Sequence, residues 1–159
     1  FYGEYRVMVD EVLATASLGY IRQFFRGLSS DVGTITPGFY RASFIGPWWL
    51  RITAMPSIAL SGLMGWQGKK FFDPHTATNI LQTQQGLVEK LQMHCVQGMS
   101  LVDGKHGIAL NYGADAPIPW RWVKDEMRVL DDQTYLCMTV IDLPFIRKLS
   151  FPFILRRES

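Results

Sequence analysis

The run RWVKDEMRVL, residues 121–130, is where the chain is best placed to do chemistry. Read as a strand, it puts Val123, Asp125, Met127 and Val129 on one face and Trp122, Lys124, Glu126, Arg128 and Leu130 on the other. The second face reads as solvated and laced with ion pairs. Asp125 shares its face with apolar residues, where an unpaired carboxylate is costly and its pKa rises. A carboxyl held in a cavity is the raw material of a general acid or base. The structural alternative pairs Asp125 with Arg41 or a tyrosine, for stability alone.

Two further segments supply partners. In LVEKLQMHC (residues 87–95), Glu89 shares a face with Leu87, Leu91, Met93 and Cys95, which makes it the next inward carboxylate. Lys90, Gln92 and His94 face outward, and His75 and His106 sit in turn-like contexts. The loop NYGADAPIPWRW (residues 111–122) carries two prolines, Gly113, and the aromatic rings of Tyr112, Trp120 and Trp122. A stiff aromatic loop of this kind either rims a binding cavity or simply covers one end of the fold. Tyr112 or Tyr40 is the expected proton partner of Asp125. Trp66, Trp120, Trp122, Tyr40, Arg41 and Met127 are expected to contact a substrate.

Other chemistries lack their residues. No CxxC, HExxH or similar ligand cluster occurs, so no metal is expected. Neither G-x-S-x-G nor a Ser-His-Asp pattern can be assembled, and no phosphate-cradling glycine motif is present, so no cofactor is expected. A formal charge of +2 gives no basic field for nucleic acid. Cys95 and Cys137 lie in apolar runs and read as buried free thiols, which favours a reducing, cytoplasmic setting.

The elements that must hold these residues follow from pattern. With 159 residues, 48% of them hydrophobic, the chain reads as one domain over residues 1–159. Residues 4–28 read as one amphipathic helix, with Val9, Leu13, Ala16, Tyr20 and Phe24 at helical spacing and Gly27 as its stop. From residue 37 to 157, nine short runs bounded by Gly, Pro, Asn or Asp read as strands, MSLVD (residues 99–103) among them. The fold class expected is mainly β (α+β). It is an antiparallel, closed or nearly closed β-barrel of about 8–9 strands, with an N-terminal helix and a short helical insertion near 48–62. Arg51, Pro47 and Pro56 argue against a membrane span in that insertion. A buried helix or an interfacial cap is the reading preferred over membrane-surface contact through Trp48 and Trp49.

The stretch GLMGWQGKKFFD (residues 62–73) surrounds a tryptophan with glycines. Read as a regular strand, it sets Trp66, Gly68, Lys70 and Phe72 on one face and Gln67, Lys69 and Phe71 on the other. W-x-G-K-x-F resembles the opening strand of calycin-like barrels, the lipocalins and their relatives, and is similar to the motif of the GXWXG domain family. The resemblance covers about ten residues, and Met64 stands where the motif's first glycine is expected. It implies that a late arginine, Arg156 or Arg157, packs across Trp66. Trp66 is then a core plug or the floor of a ligand cavity, with Gly68, Ala42, Ser43 and Ala109 leaving room inside.

Two functions fit. The first is a cofactor-independent enzyme that folds a lipophilic small molecule into an apolar barrel for isomerisation, cyclisation or dehydration, with Asp125 and Tyr112 moving the proton. The second is a non-catalytic carrier of a lipid, pigment or terpenoid. The sequence leaves the ligand and the oligomeric state open.

Overall fold

The computed structural model describes residues 2–159. Two helices, α1 (Tyr2–Ala14) and α2 (Leu18–Gly27), precede the first strand. The single helix expected over 4–28 is therefore broken. Ser17 caps α2, its hydroxyl accepting from the Tyr20 amide at 3.1 Å. A serine in that position offers the backbone a better partner than continued helix does.

Eight strands follow: β1 (Gly38–Phe44), β2 (Trp66–Asp73), β3 (Thr76–Thr83), β4 (Gly86–Met99), β5 (His106–Asn111), β6 (Val123–Asp131), β7 (Thr134–Ile141) and β8 (Ser150–Arg157). Each pairs antiparallel with its neighbour, and β1 pairs with β8, so the ring closes. MSLVD is not a strand of its own. Met99 ends β4, and residues 100–103 enter the β4–β5 turn, where the Ser100 hydroxyl accepts from the amides of Val102 and Asp103.

The interior and the outside carry separate cores. Tyr40, Phe71, Met93, Leu110, Met127, Tyr135 and Cys137 fill one half of the barrel. Leu13, Ile21 and Phe25 of the helices pack outside it on Leu136, Met138 and Ile154. β7 is thus buried on both faces and reads as a continuous apolar run for that reason. Helix α2 and the β4–β5 turn together change the fate of the outer face of β6. Arg128 is fully buried rather than solvated: it grips Asp103 through both nitrogens (2.5 and 2.8 Å) and donates to the Phe25 carbonyl. Glu126 is buried too, accepting from the Ser100 hydroxyl and the Leu101 amide.

A third helix, α3 (Trp48–Leu60), connects β1 to β2 across one barrel end. No residue in it is fully buried, so it is a cap and not a core helix. Among the described residues no helix is long and apolar enough to cross a membrane.

Candidate functional site

β2 starts with Trp66, and its first pairs show an irregularity. Trp66 lies opposite Leu81 and Gly68 opposite Ile80, so β2 has one more residue than β3 at Gln67. The bulge reverses the phase of the strand after it. Trp66, Lys69 and Phe71 all point inward, and Lys70 and Phe72 outward. The regular alternation expected for this stretch fails at that point. Gly68 makes the bulge feasible, because its φ is +153° and a Cβ there would sit 2.1 Å from the Tyr40 carbonyl oxygen. Gly65 is held as tightly, at 2.3 Å from the Gln82 carbonyl oxygen. The glycines around Trp66 answer to close backbone contact.

The bulge delivers Lys69 to the barrel interior, where it is 1% exposed. Its ammonium reaches across to β6 and meets Asp125 Oδ2 at 2.9 Å. Two further oxygens lie within its reach, Asn79 Oδ1 and Tyr112 Oη, each at 3.1 Å, with the softer Met93 Sδ at 3.3 Å. The second oxygen of Asp125 accepts from the Thr139 hydroxyl at 2.7 Å. Asn79 also takes the Trp66 indole N–H at 3.0 Å.

Donor chemistry fixes the remaining proton. The Trp66 indole and the Lys69 ammonium can only donate, so Asn79 must turn its oxygen to them and its amide nitrogen to Tyr112. That nitrogen lies 3.3 Å from Tyr112 Oη. The phenol oxygen then accepts twice, from Lys69 and Asn79. Among the described residues it donates to no protein acceptor. Tyr112 therefore holds the one uncommitted acidic proton in the cluster.

The electrostatics keep these protonation states. Burial alone pushes the Lys69 ammonium down, but the Asp125 carboxylate and Tyr112 outweigh it and hold it above an ordinary lysine. Burial pushes the Tyr112 phenol up, and Lys69 only partly offsets that, so the proton stays on at neutral pH. Burial likewise raises the nearby Cys137 thiol, which remains neutral.

Above the cluster the barrel is hollow. A cavity of about 340 Å³ runs from Lys69, Asp125, Asn79 and Tyr112 up to α3. Its walls are Phe44, Trp66, Trp120, Val123, Ile141 and Phe153, and its roof is Trp49, Leu50, Ala54 and Ile58. Trp66 is thus a wall, packed edge-on against Phe153 at 5.6 Å; the floor is the polar cluster. Trp120 donates to the Ser61 carbonyl at 2.6 Å and tilts against Tyr112, which ties the roof to the 112–122 connection.

The structure brings Asp125, Tyr112, Trp66 and Trp120 together. It does not bring in the others. Glu89 is exposed and pairs with Lys70 at 3.2 Å, because Leu91 (φ +62°) is an extra residue in β4 that flips the phase of everything before it. Tyr40 lies in the filled half, donating to the Thr36 carbonyl at 2.8 Å. Arg41 is exposed and pairs with Glu158, so it is not the partner of Asp125. Met127 packs in the filled core, and Trp122 is half-buried outside the cavity. Arg156 pairs with Asp10 of α1 and Arg157 donates to the Pro37 carbonyl. The cation beside Trp66 is Lys69, 5.5 Å from the ring. The small residues Gly68, Ala42, Ser43 and Ala109 do not line the cavity. Lys69, Asn79 and Thr139 escape a reading by alternation and residue type; the glycine two residues after Trp66 was the available sign of a bulge.

Fold and site together define an eight-stranded antiparallel barrel of calycin-like form, half filled and half hollow, with a buried ion pair at the boundary. A crystal structure of a protein from Thermomonospora curvata has the same fold, with a TM-score of 0.71 at 17% identity over 100% of both chains. No protein-family model matches the sequence. No curated protein matches it either.

Proposed function

We propose that the barrel binds a hydrophobic small molecule bearing a carbonyl or hydroxyl oxygen and moves a proton on it without a cofactor. The observation that carries this reading is the Tyr112 hydroxyl proton, left over on the floor of an otherwise apolar cavity beside the Asp125 carboxylate. A ligand oxygen seated there would accept from Tyr112, whose acidity the adjacent Lys69 ammonium supports. Asp125, although paired, keeps free lone pairs on both oxygens and would take a proton from the neighbouring carbon. Isomerisation, cyclisation and dehydration of a folded lipophile all need such an acid and base, held in a dry site. The cavity is at the smaller end of ligand pockets, which span about 300–1,000 Å³.

A carrier is the second reading. It is favoured by the way Lys69 and Thr139 already satisfy Asp125, which makes the cluster a stable resting arrangement. The likeness of W-x-G-K-x-F to lipocalin strands supports ligand binding in the same sense, as a fold-level analogy. The free thiols Cys95 and Cys137 fit a cytoplasmic setting.

The separating experiment incubates the protein with lipophilic ketones in heavy water and reads deuterium uptake beside the carbonyl by mass spectrometry. An enzyme gives uptake that falls by about 10²–10⁴ in Asp125→Asn. Tight binding of the ketones with no uptake above the protein-free rate gives the carrier.

A further inference from the structure

The cavity's roof is also an exposed surface. α3 carries a single charge, Arg51, in its 13 residues. One side of the helix faces the cavity and the other faces out, with Trp48 68% and Ile52 66% exposed. The β7–β8 connection (residues 142–149) lies at the same barrel end and adds Phe145, 94% exposed, together with Ile146 and Leu149. Ile118 of the β5–β6 connection joins this crown. Exposed apolar patches of this kind mark a surface that meets something apolar.

The polar groups of α3 are turned in on the helix itself. The hydroxyls of Thr53, Ser57 and Ser61 donate to the carbonyls of Trp49, Thr53 and Ser57, at 2.8, 2.7 and 2.9 Å. Side chains bonded back to their own helix ask nothing of the surrounding medium. The charge at this end has one dominant sign. The four connections at the mouth hold Arg51, Arg121, Arg147 and Lys148 against Asp115 and Asp142. Asp142 is already shared between Lys124 and Arg147, and among the described residues Arg51, Arg121 and Lys148 form no ion pair. At the opposite end the turns hold Asp31, Asp103 and Asp132 against Lys105.

We infer that the barrel mouth docks on an anionic lipid surface, α3 lying in the headgroup region with the cations at its edge. Paired tryptophans suit that boundary, and each cation near an anionic surface strengthens binding. A lipid layer is favoured over a protein partner because the exposed Trp48, Ile52 and Ile118 are chain neighbours of Trp49, Thr53 and Pro119, which line the apolar cavity. A ligand leaving from under α3 then enters the medium in which it dissolves. That route rests on the cavity being a ligand site; the docking itself does not.

The test is co-sedimentation of the chain with phosphatidylcholine vesicles, with and without phosphatidylglycerol. The wild type is expected to bind the anionic vesicles, and added salt to weaken binding. Trp48→Ser/Ile52→Ser/Phe145→Ser, three exposed sites, is expected to keep its circular dichroism and lose binding by tenfold or more. Arg147→Glu/Lys148→Glu is expected to lose about tenfold on anionic vesicles alone. No binding of the wild type to either vesicle overturns the inference, as does a triple variant that binds like wild type. A dimer in light scattering that the triple variant dissolves overturns it in favour of a second copy on this face. Vesicle binding reads docking alone, so failed ketone binding with docking intact counts only against the cavity reading.

Discussion

Lys69 of β2 and Asp125 of β6 meet across the barrel, 2.9 Å apart and both almost wholly buried. Neither strand is the other's neighbour in the ring, so the pair ties opposite walls together. Breaking a buried pair leaves one charge without compensation, at a cost of about 3–5 kcal/mol, whereas replacing both partners by apolar groups is often neutral or stabilising. Denaturant unfolding of Lys69→Met is expected to show that loss. Lys69→Met/Asp125→Leu is expected to recover most of it. A stable double variant that no longer responds to oxygenated lipophiles would mean that the pair is kept for the ligand site and not for stability.

The pH profile should have two distinct limbs. Lys69 is raised in the fold, so its contribution is complete below the unfolded lysine value near 10.4 and lost as pH climbs past it. Cys137, also raised, adds a loss beginning above the unfolded thiol value near 8.5. Asp103 is held down at about 2, first by its hydrogen bonds from Arg128, so its contribution is complete above pH ~4 and lost between there and about 2. Melting temperature against pH should therefore lose part of its acid fall in Asp103→Asn. It should lose part of its alkaline fall in Lys69→Met/Asp125→Leu.

Arg128 clamps α2 to the barrel. Its guanidinium lies 4.2 Å from the Phe25 ring and holds Asp103 in a two-pronged bond. Arg128→Leu removes the fork on the partly buried Asp103 and the contact on Phe25, and should lower the denaturant midpoint measurably. Arg128→Lys should recover only part of that, since an ammonium cannot reproduce the fork. The cavity is remote from this clamp, so ligand-induced stabilisation should persist in both variants.

Gly68→Ala addresses the bulge. A Cβ would press on the Tyr40 carbonyl at 2.1 Å, and the φ of +153° is costly for any L side chain, by about 1–3 kcal/mol before the clash. The variant should unfold at clearly lower denaturant than wild type. Any folded fraction should respond poorly to ligand, because relief of the strain moves Lys69.

These residues show what a sequence can disclose. β6 pairs without interruption from Val123 to Val129, so plain alternation places Asp125 on the inside. β2 and β4 each carry an extra residue, at Gln67 and Leu91, and one extra residue reverses every assignment on one side of it. Plain alternation therefore sets Lys69 opposite Trp66 and turns Glu89 inward, and the two extra residues reverse both. The barrel class was legible because turn residues punctuate the later strands at short intervals. The burial of Arg128 and Glu126 was not, because it depends on α2 packing onto Arg128 from about a hundred residues away and on the β4–β5 turn folding back onto Glu126.

The central claim is that Tyr112 offers its proton to a ligand oxygen on the cavity floor. Thermal shift with matched pairs of lipophiles, each hydrocarbon beside its ketone or alcohol, tests it in wild type and Tyr112→Phe. The account predicts that the oxygenated member stabilises wild type more than its hydrocarbon, by about 1 kcal/mol for one hydrogen bond, and that the preference disappears in Tyr112→Phe while hydrocarbon binding remains. Equal stabilisation by both members in wild type, or an unchanged preference in Tyr112→Phe, would contradict it.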